Sequence, residues 1–221
     1  MLLECVEQET GPAPAWTVLW LHGLGADGHD FAPIVPELVR PQWPALRFVF
    51  PHAPLRPVTI NGGMRMRAWY DIVGMDFANR ADAAGIEESV QQVEALIARE
   101  VERGTPASRI VLAGFSQGGA IALATGQQRQ VPLAGLVALS TYLPGGLAVA
   151  ALRHPNAVAQ PVFFAHGDGD PVIAVQHGLA SAQALEQVGF DVAWHRYPMA
   201  HQVCAQEIAD LGDWLQRRLA G

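Results

Sequence analysis

Residues 114–119 are Gly114-Phe115-Ser116-Gln117-Gly118-Gly119, and they lie between an apolar run at 110–113 and a helix-like stretch at 120–125. A serine on a sharp turn from strand to helix projects its hydroxyl above the sheet, and small residues two places to either side relieve crowding at the turn. The helix that follows directs the positive end of its dipole toward the same point. Ser116 is therefore a candidate nucleophile on a strand-turn-helix unit.

Short apolar runs recur along the chain, and they predict strands that are buried on both faces. They lie at 15–21, 46–50, 110–113, 133–139 and 161–165, and a further strand is predicted at 190–197, between the last two helices. Between several of them the apolar residues have helical spacing, at 86–101, 178–188 and 204–219. This alternation predicts an α/β fold with a mostly parallel, doubly wound sheet and helices on both faces. At 221 residues we expect one domain, 1–221, without a large lid domain.

The composition excludes several classes of protein. Hydrophobic residues make up 50% of the chain and charged residues only 16%, which indicates a large core and argues against disorder. The net charge is -7 and no run of Lys or Arg occurs, so nucleic acid is not an expected partner.

The cysteines, the first twelve residues and one uncharged stretch predict the cellular location. The two cysteines, Cys5 and Cys204, are too few for a disulfide framework and suit a reducing compartment. Residues 1–12 lack the basic start and apolar stretch of a secretory signal, so we expect a cytoplasmic protein. The uncharged stretch 131–152 is interrupted by proline and glycine, which predicts a central strand and a loop rather than a membrane span.

A serine nucleophile needs a histidine to take its proton and a carboxylate to orient that histidine. After a serine on this kind of turn, the acid comes next in the chain and the histidine last. His201 lies just beyond a predicted strand and before the last helix, where its side chain can reach the carboxyl edge of the sheet. His195 lies inside that strand and His166 beside the acidic candidates, so we assign both to packing or turns; His154 and His177 have no supporting context.

Two aspartates follow the strand at 161–165, and spacing alone barely separates them. Asp170 precedes Pro171 and lies farther into the loop, closer to where a histidine could arrive. Asp168 could instead brace the turn through bonds to its own backbone.

The first predicted strand ends in a second glycine-rich turn, His22-Gly23-Leu24-Gly25-Ala26-Asp27-Gly28. Its Gly-x-Gly-x-x-Gly pattern also occurs in dinucleotide-binding proteins, which makes an NAD-dependent oxidoreductase a rival class. That class needs an acidic residue at the end of the next strand, where this chain has Pro51-His52, and it needs a helix where Pro33 and Pro36 stand. The alternative is an oxyanion turn, in which the N–H groups of Leu24 and Gln117 face a reacting carbonyl oxygen.

Six motifs distributed over nearly the whole chain form a specific combination. They are Leu21-His22-Gly23-Leu24-Gly25, Val58-Thr59-Ile60-Asn61-Gly62-Gly63, Trp69-Tyr70-Asp71, Leu112-Ala113-Gly114-Phe115-Ser116-Gln117-Gly118-Gly119, His166-Gly167-Asp168-Gly169-Asp170 and Tyr197-Pro198-Met199-Ala200-His201. With them, the chain resembles the carboxylesterase and acyl-protein thioesterase family of small α/β hydrolases, also described as lysophospholipase-like.

The resemblance implies an α/β-hydrolase fold and a triad of Ser116, Asp170 and His201, with backbone oxyanion donors at Leu24 and Gln117. It thereby decides between the two aspartates. It also implies hydrolysis of carboxylic esters or thioesters without a metal or cofactor.

The region 51–80 corresponds, by the same resemblance, to an excursion that flanks the active site. We expect Trp69 and Tyr70 of this excursion, and Gly23 of the first glycine-rich turn, to contact the substrate. Core packing is the alternative role for the two aromatic residues.

The expected function is a serine carboxylesterase for short-to-medium acyl esters, acting through an acyl-enzyme on Ser116, because a chain of this length leaves the site open. The alternative is an acyl-protein thioesterase or lysophospholipase acting on longer acyl thioesters or lysolipids. A catalytically silent hydrolase fold that binds a ligand is a third class, against which all three triad residues argue. The apolar fraction is compatible with a homodimer, but no sequence feature locates an interface.

Overall fold

Nine strands occur in residues 2–74 and 82–220, which are the residues that the computed structural model describes. They are β1 (Cys5–Glu9), β2 (Trp16–Leu21), β3 (Leu46–Pro51), β4 (Leu55–Val58), β5 (Met64–Arg67), β6 (Ile110–Phe115), β7 (Gly135–Leu139), β8 (Val162–Gly167) and β9 (Val192–Tyr197). Seven of them form one sheet in the order β1-β3-β2-β6-β7-β8-β9, and β4 and β5 form a separate antiparallel hairpin. In the large sheet β1 is antiparallel to β3 and the other neighbours are parallel, which confirms the predicted sheet.

The helices alternate with these strands along the chain. The α-helices are α1 (Val35–Leu38), α2 (Ala83–Glu102), α3 (Gln117–Gln128), α4 (Gly146–Ala150), α5 (Val175–Gln187) and α6 (Ala205–Leu219). The longest, α2, begins where the Asp82 carboxylate accepts a hydrogen bond from the Gly85 N–H at 2.9 Å, because a side-chain acceptor satisfies one of the free N–H groups of the first turn. Short 3₁₀ turns at Ala32–Ile34, Thr59–Asn61, Ala107–Arg109 and Pro155–Ala159 complete the connections.

The sheet is covered on both faces, so its strands need apolar residues at successive positions. All six residues of β2 are buried, and they alternate between two cores. Leu19 and Leu21 pack with α2, α3 and α5 on one face, whereas Val18 and Trp20 pack with α1 and α6 on the other. This two-sided burial is why the strands were recognisable as continuous apolar runs.

The buried side chain of Glu100 links α2 to strands β2 and β3. Glu100 of α2 is completely buried, and its carboxylate pairs with Arg47 of β3 at 3.1 Å and with Arg99 and Arg103 at 2.9 Å. Thr17 of β2 also donates to it. Burial raises the pKa of Glu100, but the hydrogen bonds and charges of these arginines outweigh that effect and hold the pKa below its usual value.

The sequence did not predict β1 or the β4–β5 hairpin, and 131–152 contains the short helix α4 as well as the expected strand and loop. The excursion predicted at 51–80 therefore contains regular structure, and its last part, 75–80, lies outside the described residues. Within the described ranges, no helix is long and apolar enough to cross a membrane.

Candidate active site

The turn that carries Ser116 has the backbone geometry that its glycines suggested. Ser116 follows β6 directly and has a φ of 53° and a ψ of -119°, a conformation that non-glycine residues rarely adopt. A Cβ atom on Gly114 would lie 2.3 Å from the Gly118 carbonyl oxygen, and one on Gly118 would lie 2.4 Å from the Leu21 carbonyl oxygen. Neither position can hold a side chain, so the strained turn requires both glycines.

Three predicted residues from three different loops meet at this turn. The Oγ atom of Ser116 lies 2.9 Å from Nε2 of His201, and Nδ1 of His201 lies 2.6 Å from Oδ2 of Asp170. Because a carboxylate only accepts, Nδ1 of His201 carries the proton and Nε2 is free to accept the hydrogen of the serine hydroxyl. The contacts form one continuous chain from carboxylate to imidazole to hydroxyl.

Asp170 is held from two sides, and one contact involves a histidine that the sequence assigned to packing. The Asp170 side chain has no exposed surface, and its Oδ1 accepts the N–H groups of Val172 and Ile173 at 2.8 and 2.9 Å. Nε2 of His166 donates to the Ile173 carbonyl at 2.8 Å and lies 3.3 Å from Oδ2 of Asp170. Burial lowers the pKa of His166, so the ring is a neutral Nε2–H donor. Two imidazoles thus converge on one carboxylate oxygen.

The other candidates for acid and base lie elsewhere. Asp168 pairs with Arg196 at 2.6 Å on the surface, and the His195 ring stacks on Phe163 with centroids 4.8 Å apart. His154 accepts the Asn156 N–H at 3.2 Å, at the start of a 3₁₀ turn. None of these contacts involves Ser116.

The two proposed oxyanion donors lie on loops with fixed backbones. Gln117 is the first residue of α3, a position whose N–H has no acceptor within its own helix. On the other loop, Nδ1 of His22 contacts the Gly23 carbonyl at 2.7 Å, and the Gly25 N–H donates to the Arg67 carbonyl at 2.8 Å, so Leu24 is anchored on both sides. Burial lowers the pKa of His22 to about 4, so its ring is neutral, and its Nε2 accepts the Ala53 N–H at 3.1 Å.

The side chain of Gln117 ties the nucleophile turn to the excursion, a connection that the sequence did not reveal. Its Oε1 accepts the Trp69 N–H at 2.8 Å, and its Nε2 donates to the Tyr70 carbonyl at 2.7 Å. The Trp69 indole donates to the His22 carbonyl at 2.9 Å and is completely buried. Trp69 therefore braces the two glycine-rich turns, which is the packing role that the sequence left open for it.

A cavity of about 240 Å³ opens beside Ser116, and we call it the Ser116 cavity. Its walls are mostly aliphatic, and Tyr70 is one of the residues that line it. Gly23 does not line it but lies against the turn, since a Cβ there would be 3.5 Å from that of Ser116. The apolar and aromatic lining comprises Leu24, Ile60, Tyr70, Ile72, Tyr142, Pro171, Val172 and Ile173.

Among the described residues, one group has the residue types of a metal site. Asp27, His29 and His52 place one ligand atom each within 4.8 Å of one another. However, the Gly28 N–H already donates to Nδ1 of His52 at 3.0 Å, which leaves the ring proton on Nε2, and His29 has 71% of its side chain exposed. Hydrogen bonding accounts for this arrangement without a ligand.

Comparison with known proteins adds independent evidence. The model of the Phospholipase/Carboxylesterase family matches residues 3–219. The chain is 40% identical to acyl-protein thioesterase 1 of Mycosarcoma maydis over 96% of this chain and 95% of that protein. It is 41% identical to acyl-protein thioesterase 1 of Neurospora crassa, over 92% of this chain and 86% of that one. The crystal structure of Arabidopsis thaliana SOBER1 superposes with a TM-score of 0.87 at 29% identity, covering 92% of this chain and 99% of that one.

Proposed function

Since this chain belongs to the phospholipase and carboxylesterase family and is a serine hydrolase of esters or thioesters, we propose that it is an acyl-protein thioesterase. The observation that carries the proposal is the contact chain from Asp170 through His201 to Ser116 at the mouth of an apolar cavity. An apolar cavity suits an acyl group, and the curated relatives with 40 and 41% identity are named for hydrolysis of acyl-protein thioesters.

In the proposed reaction, Nε2 of His201 takes the proton of Ser116 as Oγ attacks the thioester carbonyl carbon. The resulting oxyanion accepts hydrogen bonds from the N–H groups of Leu24 and Gln117, each worth about 3 to 4 kcal/mol in the transition state. His201 then protonates the departing thiolate, and an acyl-enzyme remains on Ser116. Water, deprotonated by His201, releases the carboxylic acid, while Asp170 keeps the imidazole oriented.

A second candidate is a carboxylesterase for short-to-medium oxygen esters, and the size of the cavity is compatible with its acyl-chain length. At about 240 Å³ the Ser116 cavity is smaller than the roughly 300 to 1,000 Å³ of most ligand pockets. A small cavity limits the acyl group rather than the leaving group. It therefore supports short-to-medium chains for either bond type.

The bond type is tested by kinetics on matched substrates that carry the same octanoyl group as a thioester or as an oxygen ester. We expect the higher kcat/KM for the thioester, beyond the difference in the uncatalysed hydrolysis rates. A preference for the oxygen ester would support the second candidate instead.

The roles of individual residues are tested with matched pairs of variants. A fluorophosphonate should label the wild type and Ser108→Ala, whose serine is exposed on a surface turn, but not Ser116→Ala. Asp170→Asn should lower kcat severely, by analogy with the roughly ten-thousand-fold loss for the same change in the serine-protease triad, whereas Asp168→Asn should not. Labelling of Ser116→Ala would refute the assignment of the nucleophile.

A further inference from the structure

A second cavity lies on the other side of the loop that follows β7, and we call it the α5 cavity. It has a volume of about 560 Å³ and lies between residues 142–147 and α5. Leu143, Leu147, Ala180 and Ala184 give it an apolar surface, with polar side chains of α5 at its rim. Tyr142 lines both this cavity and the Ser116 cavity, and among the described residues it is the one lining residue that they share.

Tyr142 is held in place by bonds at its side chain and at both neighbours. Its hydroxyl lies 2.9 Å from the hydroxyl of Tyr70, and its side chain is buried. On one side, Thr141 donates its hydroxyl hydrogen to the Ser116 carbonyl at 2.6 Å. On the other, the Leu143 N–H donates to Oγ of Ser181 in α5 at 2.8 Å. Tyr142 is therefore held in place where the linings of the two cavities meet, and we call its ring the wall.

A fixed aromatic wall has a direct consequence for an acyl chain that starts at Ser116. The chain can extend through the aliphatic part of the Ser116 cavity until it reaches the Tyr142 ring. Within the described ranges, Tyr142 then separates further methylene groups from the apolar surface of the α5 cavity, which it also lines. Together the two volumes fall inside the usual range for ligand pockets, whereas the Ser116 cavity alone does not.

We propose that Tyr142 determines acyl-chain length in this enzyme. Its ring ends the Ser116 cavity, so that short-to-medium acyl groups fit, and removal of the ring joins that cavity to the α5 cavity, which accepts the distal methylene groups of a longer chain. The inference rests on the proposed acyl-transfer function of Ser116, but it holds for thioesters and oxygen esters alike.

The test is a chain-length series from acetyl to palmitoyl, run once with thioesters and once with oxygen esters and measured as kcat/KM for the wild type, Tyr142→Ala and Tyr142→Phe. Burial of one methylene group is worth about fourfold in binding, so the ratio for dodecanoyl over butanoyl should rise roughly tenfold or more in Tyr142→Ala. Tyr142→Phe keeps the ring and loses only the hydroxyl, so its length profile should follow that of the wild type.

A double variant shows where the longer chain goes. Ala180 is exposed and lines the α5 cavity, so Ala180→Phe fills that cavity without disturbing the core. In the Tyr142→Ala background it should abolish most of the gain for long chains. Persistence of the full gain would contradict the α5 cavity as the site of the distal methylene groups.

An unchanged length profile in a Tyr142→Ala protein that still reacts stoichiometrically with a fluorophosphonate would overturn the proposal. If that variant does not fold, Tyr142→Leu replaces it, and an unchanged profile there has the same meaning. Because the series is run with oxygen esters as well as thioesters, a failure of the thioesterase proposal appears as a preference for the oxygen esters. If Tyr142 does not determine chain length, the only sign is that the Tyr142 variant shows the same dependence on chain length as the wild type.

Discussion

Replacement of His166 examines how the carboxylate of Asp170 is positioned. His166 is completely buried; its Nε2–H donates to the Ile173 carbonyl at 2.8 Å, and the same nitrogen lies 3.3 Å from Oδ2 of Asp170. The same Oδ2 contacts His201 at 2.6 Å. We expect His166→Ala to lower kcat with little change in KM, because the lost contact orients the triad and does not touch the acyl group.

The contact distances around Asp170 determine the size of the expected loss in kcat. A hydrogen bond to a charged group contributes about 1.5 to 3 kcal/mol, which corresponds to roughly ten- to hundredfold in rate. The contact with Asp170 is longer than the usual 2.7 to 2.9 Å of a charge-assisted bond. Asp170 also keeps the N–H groups of Val172 and Ile173 on its other oxygen. The lower limit therefore applies, and we expect a loss of about tenfold in kcat.

Substitution of His166 by Gln or Asn distinguishes a role in positioning Asp170 from a role in packing. The amide nitrogen of Gln reaches about as far as Nε2 of histidine, so His166→Gln should restore much of kcat. The amide nitrogen of Asn reaches only as far as Nδ1. That nitrogen lies 2.4 Å from where a Cβ on Gly178 would stand, and it has no hydrogen-bond partner in the part of the chain that the structure describes. His166→Asn should resemble His166→Ala.

Steady-state kinetics across pH and the rate of fluorophosphonate labelling at Ser116 measure these differences, with circular dichroism to verify folding. If a folded His166→Ala protein kept its kcat within about twofold, well under the expected loss, His166 would have no positioning role. Equal losses in all three variants would indicate packing alone.

Two further predictions concern stability. Glu100→Ala should cost about 3 kcal/mol in the free energy of unfolding, because it leaves three arginines without their buried partner. Glu88→Gln replaces a carboxylate that is 57% exposed and should cost under about 1 kcal/mol. Urea unfolding measures both losses, and equal losses would contradict the role of burial. Burial raises the pKa of Glu207 from 4.5 to about 8, so the folded state holds a proton that the unfolded state has released and stability falls as pH rises through that window, by up to about 1.4 kcal/mol per unit. Glu207→Gln should therefore gain stability relative to the wild type above about pH 8 but not below about pH 4.5, and a pH-independent difference between the two proteins would refute this.

Most of the sheet could be predicted because strands buried on both faces are continuous apolar runs. The strand β1 gave no such signal, since Cys5–Glu9 is an edge strand whose Glu7 and Glu9 pair with arginines of α2 and β3. The hairpin β4–β5 was missed for a related reason. Its residues, Leu55–Val58 and Met64–Arg67, are mostly exposed or half-buried and include three arginines, so neither strand shows apolar alternation.

The geometry of the site was predictable where it depends on short-range constraints. Ser116 was recognisable because Gly114 and Gly118 stand where any side chain would collide with backbone. The bonds of the Gln117 amide were not, because they join loops that follow different strands. The contacts of His166 were not, because they depend on the shape of the turn that follows β8. The separation of His166 from Asp170 by four residues was the one available signal, and it carries meaning only once the turn between them is known.

Tyr142 is connected to the turn of Ser116 through its neighbour Thr141, so kcat/KM of a Tyr142 variant can change for two different reasons. Thr141 bonds to the Ser116 carbonyl, and Tyr142 is the next residue, so a change at Tyr142 can shift the strained turn as well as the volume behind it. A shift of the turn would change kcat/KM for every acyl group by the same factor, because all of them react at the same Oγ. Opened volume would favour only chains long enough to use it. The ratio between long and short substrates therefore reports the wall, while the rate with acetyl esters reports the turn.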